Sequence, residues 1–289
     1  MYLNNLTNPQ ITSNNLSKNH WEKAPKWLEM LDSPLRPSLE DIDFLRLQVL
    51  PKLQIDSPET KKVVLLGVTP EIATLPWSEK TEILAIDSSE MMINTVWPQE
   101  QVARGKAING NWQQLPLADN SCNLVLGDGC FTLLDYPHGY KIVLQEILRV
   151  LKTNGLLVMR FFLRPEQAEN IQTIFAQLQN KSIGNFHAFK WRLAMTLQKN
   201  IQEGIPVREI WKEWNQEVPF PEKLMQELAW STELLETINI YKDSSSVYTF
   251  PTLAEVRQLC NSDFIEESCY FPSYELGESC PTLVFRALK

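Results

Sequence analysis

The sequence predicts an α/β protein, a mostly parallel sheet with helices on both faces, interrupted by a helical insertion. Three observations predict it. From Lys61 onward, short apolar runs alternate with helix starts. One helix presents an unbroken apolar face through Tyr140, Val143, Leu144, Ile147, Leu148 and Leu151, spaced i, i+3, i+4, i+7, i+8, i+11. The alternation then stops between Arg164 and Phe250 and resumes near Leu253.

The elements follow in order. Residues 1–60 read as a polar, Asn-rich arm and a helical preface over 20–55 that contains Trp21 and Trp27. Within it, Ser38 followed by Glu40 and Asp41 is a helix start, with Ile42, Leu45 and Val49 as its apolar stripe. Arg36, beside Pro37 and close to Pro34, sits on a stiff loop, either solvated or facing an anionic ligand. Next, Val63–Leu66 predicts a strand closed by Gly67, and Pro70-Glu71 a helix start, since proline suits the first helical position and a carboxylate suits the dipole. Ile83–Ile86 predicts a second strand ending on Asp87, with Ser88 and Ser89 as caps for the following helix. Gly67 and Asp87 lie about 20 residues apart, the spacing that sets a carboxylate beside a ribose hydroxyl in nucleotide-binding βαβ units. An ordinary βαβ unit with a surface aspartate has the same pattern.

Ala107-Ile108 predicts a third strand leading to Gly110-Asn111-Trp112. Cys122–Leu126 predicts a fourth, stopping at Gly127-Asp128-Gly129. The long helix follows Asp135-Tyr136-Pro137 and is capped by Asn154-Gly155, and Leu156–Leu163 is the fifth strand. In the insertion, Phe186, Phe189, Leu193, Leu197 and Ile201 form one stripe, and Val207, Ile210, Trp211 and Trp214 another. Pro219 and Pro221 precede a third helix around Leu224 and Leu228, with Leu235 as its furthest candidate position. Leu253, Val256 and Leu259 predict a short helix, and strands at Phe264–Phe271 and Thr282–Leu288 flank a long hairpin loop.

Composition narrows the function. A net charge of −8, from 27 basic and 35 acidic residues, argues against an extended nucleic-acid surface, which needs a basic stripe. No apolar run approaches the roughly eighteen residues of a membrane span. Five dispersed cysteines without a CxxC pair, and three histidines, argue against a metal site. With no signal-peptide pattern at the N-terminus, they read as reduced thiols of a cytoplasmic protein.

The block NWQQLPLADNSCNLVLGDGCFTLL, with YKIVLQEILRVLKTNGLLVMRFF after it, resembles class I S-adenosylmethionine-dependent methyltransferases. The resemblance runs from about Lys61 to Phe162, with a tail from Thr252 to Leu288, roughly half the chain. It implies a Rossmann-like, seven-stranded sheet whose last strand, Thr282–Leu288, lies antiparallel beside the fifth. It also divides the chain into a cofactor-binding core over 61–164 and 251–289 and a substrate lid over 165–250. The implied cofactor is S-adenosyl-L-methionine. The site it implies comprises Gly67, Thr69, Asp87 with Ser88, Met91, Asn111, Trp112 and Asp128-Gly129-Cys130. Asp87 would take the ribose hydroxyls, Asn111 the adenine amino group, Trp112 and Met91 the adenine faces, and Asp128-Gly129-Cys130 would line the cleft under the methyl donor. The sequence departs from the family at the glycine turn. Leu65 replaces the usual acid, Gly67 keeps the first glycine, and Thr69 and Glu71 replace the other two. Without those glycines the backbone cannot approach as freely; the helix start near Pro70 and the Thr69 hydroxyl are the remaining means of holding the methionine end.

Methyl transfer from a sulfonium asks a protein mainly for alignment and water exclusion. Where the acceptor needs a base, the candidates are Asp128, His138 and His187. The first expectation is therefore a methyltransferase acting on a small molecule. The second is a non-catalytic binding or scaffold protein on the same fold. A nicotinamide-dependent oxidoreductase shares the acid after the second strand but requires a GxGxxG that Gly67-Val68-Thr69-Pro70-Glu71 does not supply.

Overall fold

The structure, a computed structural model, describes residues 28–54 and 59–289. Trp21, Trp27 and the N-terminal arm lie outside the described residues. Strands β1 (Lys61–Leu66), β2 (Thr81–Asp87), β3 (Gly105–Asn109), β4 (Cys122–Asp128) and β5 (Leu151–Arg160) pair in parallel in the order β3-β2-β1-β4-β5. The sheet is completed by β8 (Phe264–Tyr270) and β9 (Thr282–Ala287), with β9 antiparallel between β5 and β8. This is the expected seven-stranded sheet. Val63 to Leu66 are all buried, as a central parallel strand covered on both faces requires. β6 (Ile205–Pro206) and β7 (Val247–Tyr248) form a separate short ladder within the insertion.

Before the sheet, α1 (Leu39–Phe44) begins with the predicted Ser38 cap: the Ser38 hydroxyl accepts from the Asp41 amide and the Asp41 carboxylate accepts from the Ser38 amide. It continues through a π-helical turn at Leu45–Val49 into α2 (Leu50–Gln54). Pro51 has no N–H for the regular ladder, and the wider turn absorbs it. One side of the sheet carries α3 (Pro70–Ala73) and α4 (Glu90–Val96); the other carries α5 (His138–Val150) and, after the insertion, α11 (Leu253–Cys260). Thr252 caps α11 through a reciprocal bond with Glu255, an arrangement worth about 1 kcal/mol.

The long helix is one residue shorter than its apolar stripe predicts. It ends at Val150, and Leu151 opens β5 opposite Cys122. Asn154-Gly155 therefore lies inside the strand rather than capping the helix; Asn154 takes φ +60, and the register with β4 shifts there. The block containing PLADNS is held by a brace. The Arg149 guanidinium donates to the Leu117 carbonyl (2.8 Å), the Leu115 carbonyl (3.0 Å), Asp119 (2.8 Å) and Glu146, while Glu146 accepts from the Leu115 amide (2.9 Å).

The insertion is helical, as expected, with α6 (Ile171–Gln179), α7 (Phe186–Leu197), α8 (Val207–Glu217), α9 (Pro221–Glu227) and α10 (Glu236–Asn239). It has a core of its own, in which Phe186, Phe189 and Trp214 meet with ring centroids 5.4–6.1 Å apart. Helix α6, which begins on the Asn170 cap, was not visible in the apolar periodicity.

Candidate functional site

A cleft of about 580 Å³ opens where β1, β2 and β4 end, and the insertion forms its opposite wall. Ligand sites in open α/β sheets lie outside the carboxyl ends of the strands, and this volume is ordinary for one.

Gly67 leaves β1 at φ +90, a conformation that favours glycine, and a Cβ there would stand 3.8 Å from the Asp87 carboxylate. Its amide donates to the Ile86 carbonyl at 2.8 Å, which fastens the turn to the end of β2. Asp87 accepts from the Ser89 amide at 2.8 Å through Oδ1. Burial pushes its carboxyl above the ordinary value of 3.8, and the Ser89 and Ser88 amides only partly offset this. Ser88, Ser89 and Met92 line the cleft, whereas Met91 faces solvent at 44 % exposed. That corrects the expectation for Met91. Ser89 caps α4, which places residues 89, 92, 95 and 96 on the cleft-facing side and turns Met91 away.

Asn111 lines the cleft, its side-chain oxygen accepting from the Gln113 amide at 2.9 Å with one lone pair to spare. The Trp112 indole N–H donates to the Ile86 carbonyl at 2.7 Å, so the ring is fixed as a half-buried wall. Thr69 also lines the cleft, but its side chain does not cap α3, and that helix is a single turn. The anion-holding helix start expected at Pro70 is therefore absent as such. Glu71, on the same turn, instead pairs with Arg36 (Nη2–Oε1 2.5 Å), and both line the cleft.

The base candidates take other roles. Asp128 is buried and bound to Arg160 (Nε–Oδ1 2.5 Å), whose guanidinium also donates to the Pro34 carbonyl (2.8 Å) and the Tyr274 hydroxyl (3.0 Å). Burial raises its carboxyl and Arg160 draws it back, so the pair is a tie between β4, β5 and the Pro34 loop rather than a free base. His138, the first residue of α5, is exposed and lies outside the cleft, on the solvent side of the helix start. His187 is buried, with Nε2 against the Met30 carbonyl at 2.9 Å, and burial lowers it to about 3, so the ring is neutral.

Gly129 and Cys130 form the cleft floor. Gly129 has φ +62, and a Cβ there would fall 2.3 Å from the Phe162 ring, so both conformation and space demand glycine. Burial raises the Cys130 thiol far above its ordinary range, and it contacts the Met159 sulfur at 3.5 Å, so it packs rather than reacts.

Sequence reasoning missed the insertion's share of the cleft: Lys190, Trp191, Thr237, Tyr241 and Tyr248. The available signal was Lys190 inside FHAFKWRLAM, a helix apolar on every side, where a lysine cannot reach water. Phe162 joins the two halves, its ring packed beside Gly129 and T-shaped to Trp191 with centroids 5.2 Å apart.

The residues at the strand ends fit a nucleoside: a carboxylate turned out of water, a backbone turn without a Cβ beside it, and an amide acceptor near an aromatic wall. Residues 66–159 match the family model described as a methyltransferase domain. No curated protein matches the chain. Among solved structures, the fold matches a chain from the complex of the Haloferax volcanii Trm112 methyltransferase activator with a provisionally named methyltransferase. That match has 13% identity, 94% of this chain and 98% of the other covered, and TM-score 0.50. It also matches a Rhodobacter sphaeroides protein provisionally named a Zn-dependent alcohol dehydrogenase, at 12% identity, 93% and 97% coverage and TM-score 0.55. At such identities both matches speak of the fold alone. The seven-stranded order and the match over residues 66–159 give the chain the class I S-adenosylmethionine-dependent methyltransferase fold, with S-adenosyl-L-methionine as the cofactor that the matched domain implies and a glycine-rich turn that keeps only Gly67.

Proposed function

We propose that the protein transfers a methyl group from S-adenosylmethionine to a small organic acceptor. The core over 61–164 and 251–289 would hold the cofactor and the insertion over 165–250 the acceptor. One observation carries this reading: a single cleft is lined both by Gly67, Asp87 and Asn111 at the strand ends and by Lys190, Trp191 and Tyr248 from the insertion. A molecule at one end faces a molecule at the other.

The cofactor, when bound, supplies a methyl carbon already activated by its sulfonium. In this reading Asp87 accepts the ribose hydroxyls, Asn111 accepts from the adenine amino group, and Trp112 bounds the ring. Arg36 and Glu71 offer charges opposite to those of an amino acid's carboxylate and ammonium, and so take over from the missing glycines. The aromatic wall of the insertion keeps water from the acceptor.

Calorimetric titration with S-adenosylhomocysteine tests the reading. The wild type is expected to bind, and Asp87→Ala to weaken binding at least about tenfold, the loss of one charge-assisted contact pair, with its fold intact. Equal affinity in the variant removes Asp87 from the site. A second reading, a non-catalytic binding protein on this fold, draws on Thr69 and Glu71 in place of glycines and on the Arg36–Glu71 pair beside that turn. Absence of any binding by the wild type decides for it.

A further inference from the structure

Among the described residues, two basic side chains, Arg160 and Lys190, are buried, and the fold treats them differently. Arg160 has the Asp128 carboxylate at 2.5 Å. Lys190 has none. Its side chain is 0 % exposed, and its Nζ donates to the Thr237 carbonyl (3.0 Å) and the Thr237 hydroxyl (2.7 Å), which in turn donates to the Leu234 carbonyl (2.6 Å). The Phe186 and Tyr241 rings each lie 5.6 Å from the nitrogen. An ammonium has three N–H groups, and Thr237 takes two. A protonated lysine buried without a counter-ion is costly, so burial favours its neutral form, and a methionine would fill the same space without that cost. Lys190 nevertheless lines the cleft, at the end walled by Trp191, Tyr241 and Tyr248.

We propose that Lys190 is the recognition group for the acceptor, which is a carboxylic acid on an apolar, typically aromatic, body, its carboxylate docking on this nitrogen between the rings of the insertion. This rests on the reading that the insertion end receives the acceptor. The bound carboxylate supplies the charge that the protein withholds, and the surrounding rings accept the rest of the molecule. The other titratable groups around Lys190 are His187 on the same helix and the buried phenols Tyr241 and Tyr248, none of them a carboxylate. Burial holds the lysine well below its ordinary range, so docking an anion stabilises the protonated amine and draws a proton from solvent.

The test titrates wild type and Lys190→Met with benzoate, phenylacetate, 4-hydroxybenzoate and indole-3-acetate, each beside its carboxamide. It runs with and without saturating S-adenosylhomocysteine, in buffers of different ionisation enthalpy. At least one acid is expected to bind the wild type about tenfold or more tightly than its amide, with proton uptake, and Lys190→Met to lose that margin while leaving the amide unchanged. Acids binding no better than their amides across the panel overturn the proposal, as does a folded Lys190→Met that keeps the preference. Should Lys190→Met not fold, the acid-against-amide comparison in the wild type decides alone. Failure to bind S-adenosylhomocysteine strikes the cofactor reading instead, since the acid titrations on the free protein stand apart from it.

Discussion

The two ends of the cleft are built on opposite plans. At the strand ends, the groups are half-buried or exposed and set by backbone: Gly67 by its φ of +90, Asp87 by the Ser89 amide, Asn111 by a local turn. At the insertion end, the groups are fully buried and set by packing, with Trp191 meeting Phe162, Tyr248 and Phe250 edge-on at 5.2–5.6 Å. Backbone-set sites recur wherever the same turn recurs, so they suit a ligand shared by many proteins. Packing-set sites have to be remade for each ligand. The difference teaches where specificity resides.

The comparison predicts a graded series. The largest effect falls on the tie beneath the strand ends. Arg160→Met strands a buried Asp128 and is expected to cost about 3–5 kcal/mol in denaturant unfolding. Next, Gly129→Ala forces a Cβ into the Phe162 ring at a positive φ, and is expected to cost about 1–3 kcal/mol and to loosen both ends at once. A variant that unfolds like the wild type would break the idea that Phe162 couples them. A third prediction separates the ends by pH. The Asp87 carboxyl titrates above 3.8 in the free protein, and hydroxyl donors favour its charged form. Nucleoside binding is therefore complete above that raised value and declines as pH falls through it, with proton release on binding. Asp87→Asn should flatten that dependence, and a profile that stays curved would place the titrating group elsewhere. The smallest effect distinguishes neighbours on one helix: Met92→Ala should weaken S-adenosylhomocysteine binding several-fold, and Met91→Ala should leave it within error.

Most of the sheet was legible because period and punctuation agree there. Val63–Leu66 and Ile83–Ile86 are buried runs closed by Gly67 and Asp87, and structure and sequence place their ends at the same residues. The boundary at Leu151 was not, because an apolar residue continues a helical stripe as readily as it begins a buried strand, and pairing with Cys122 decides. Of the residues assigned to the nucleoside end from the sequence, Gly67, Thr69, Asp87, Ser88, Asn111 and Trp112 line the cleft and Met91 does not, because the Ser89 cap sets the phase of α4. Asp128 and His187 were misjudged for a common reason, since a sequence shows an acid or an imidazole but not its partner, whereas His138 simply lies outside the cleft. Arg160 lies 32 positions from Asp128. Lys190 was hidden the same way, inside a stripe that reads as packing.

The brace at Arg149 has a bearing on what the chain advertises. Leu115, Leu117 and Asp119 face one guanidinium, and that clamp accounts for the most recognisable words in the sequence, PLADNS and ILRVLK. They are architectural grammar. Substitutions that break the clamp fall on folding, whereas in the proposed reading substitutions in FHAFKW change what the cleft admits. Kinship in this molecule is written on the frame, and trade is written in the room behind it.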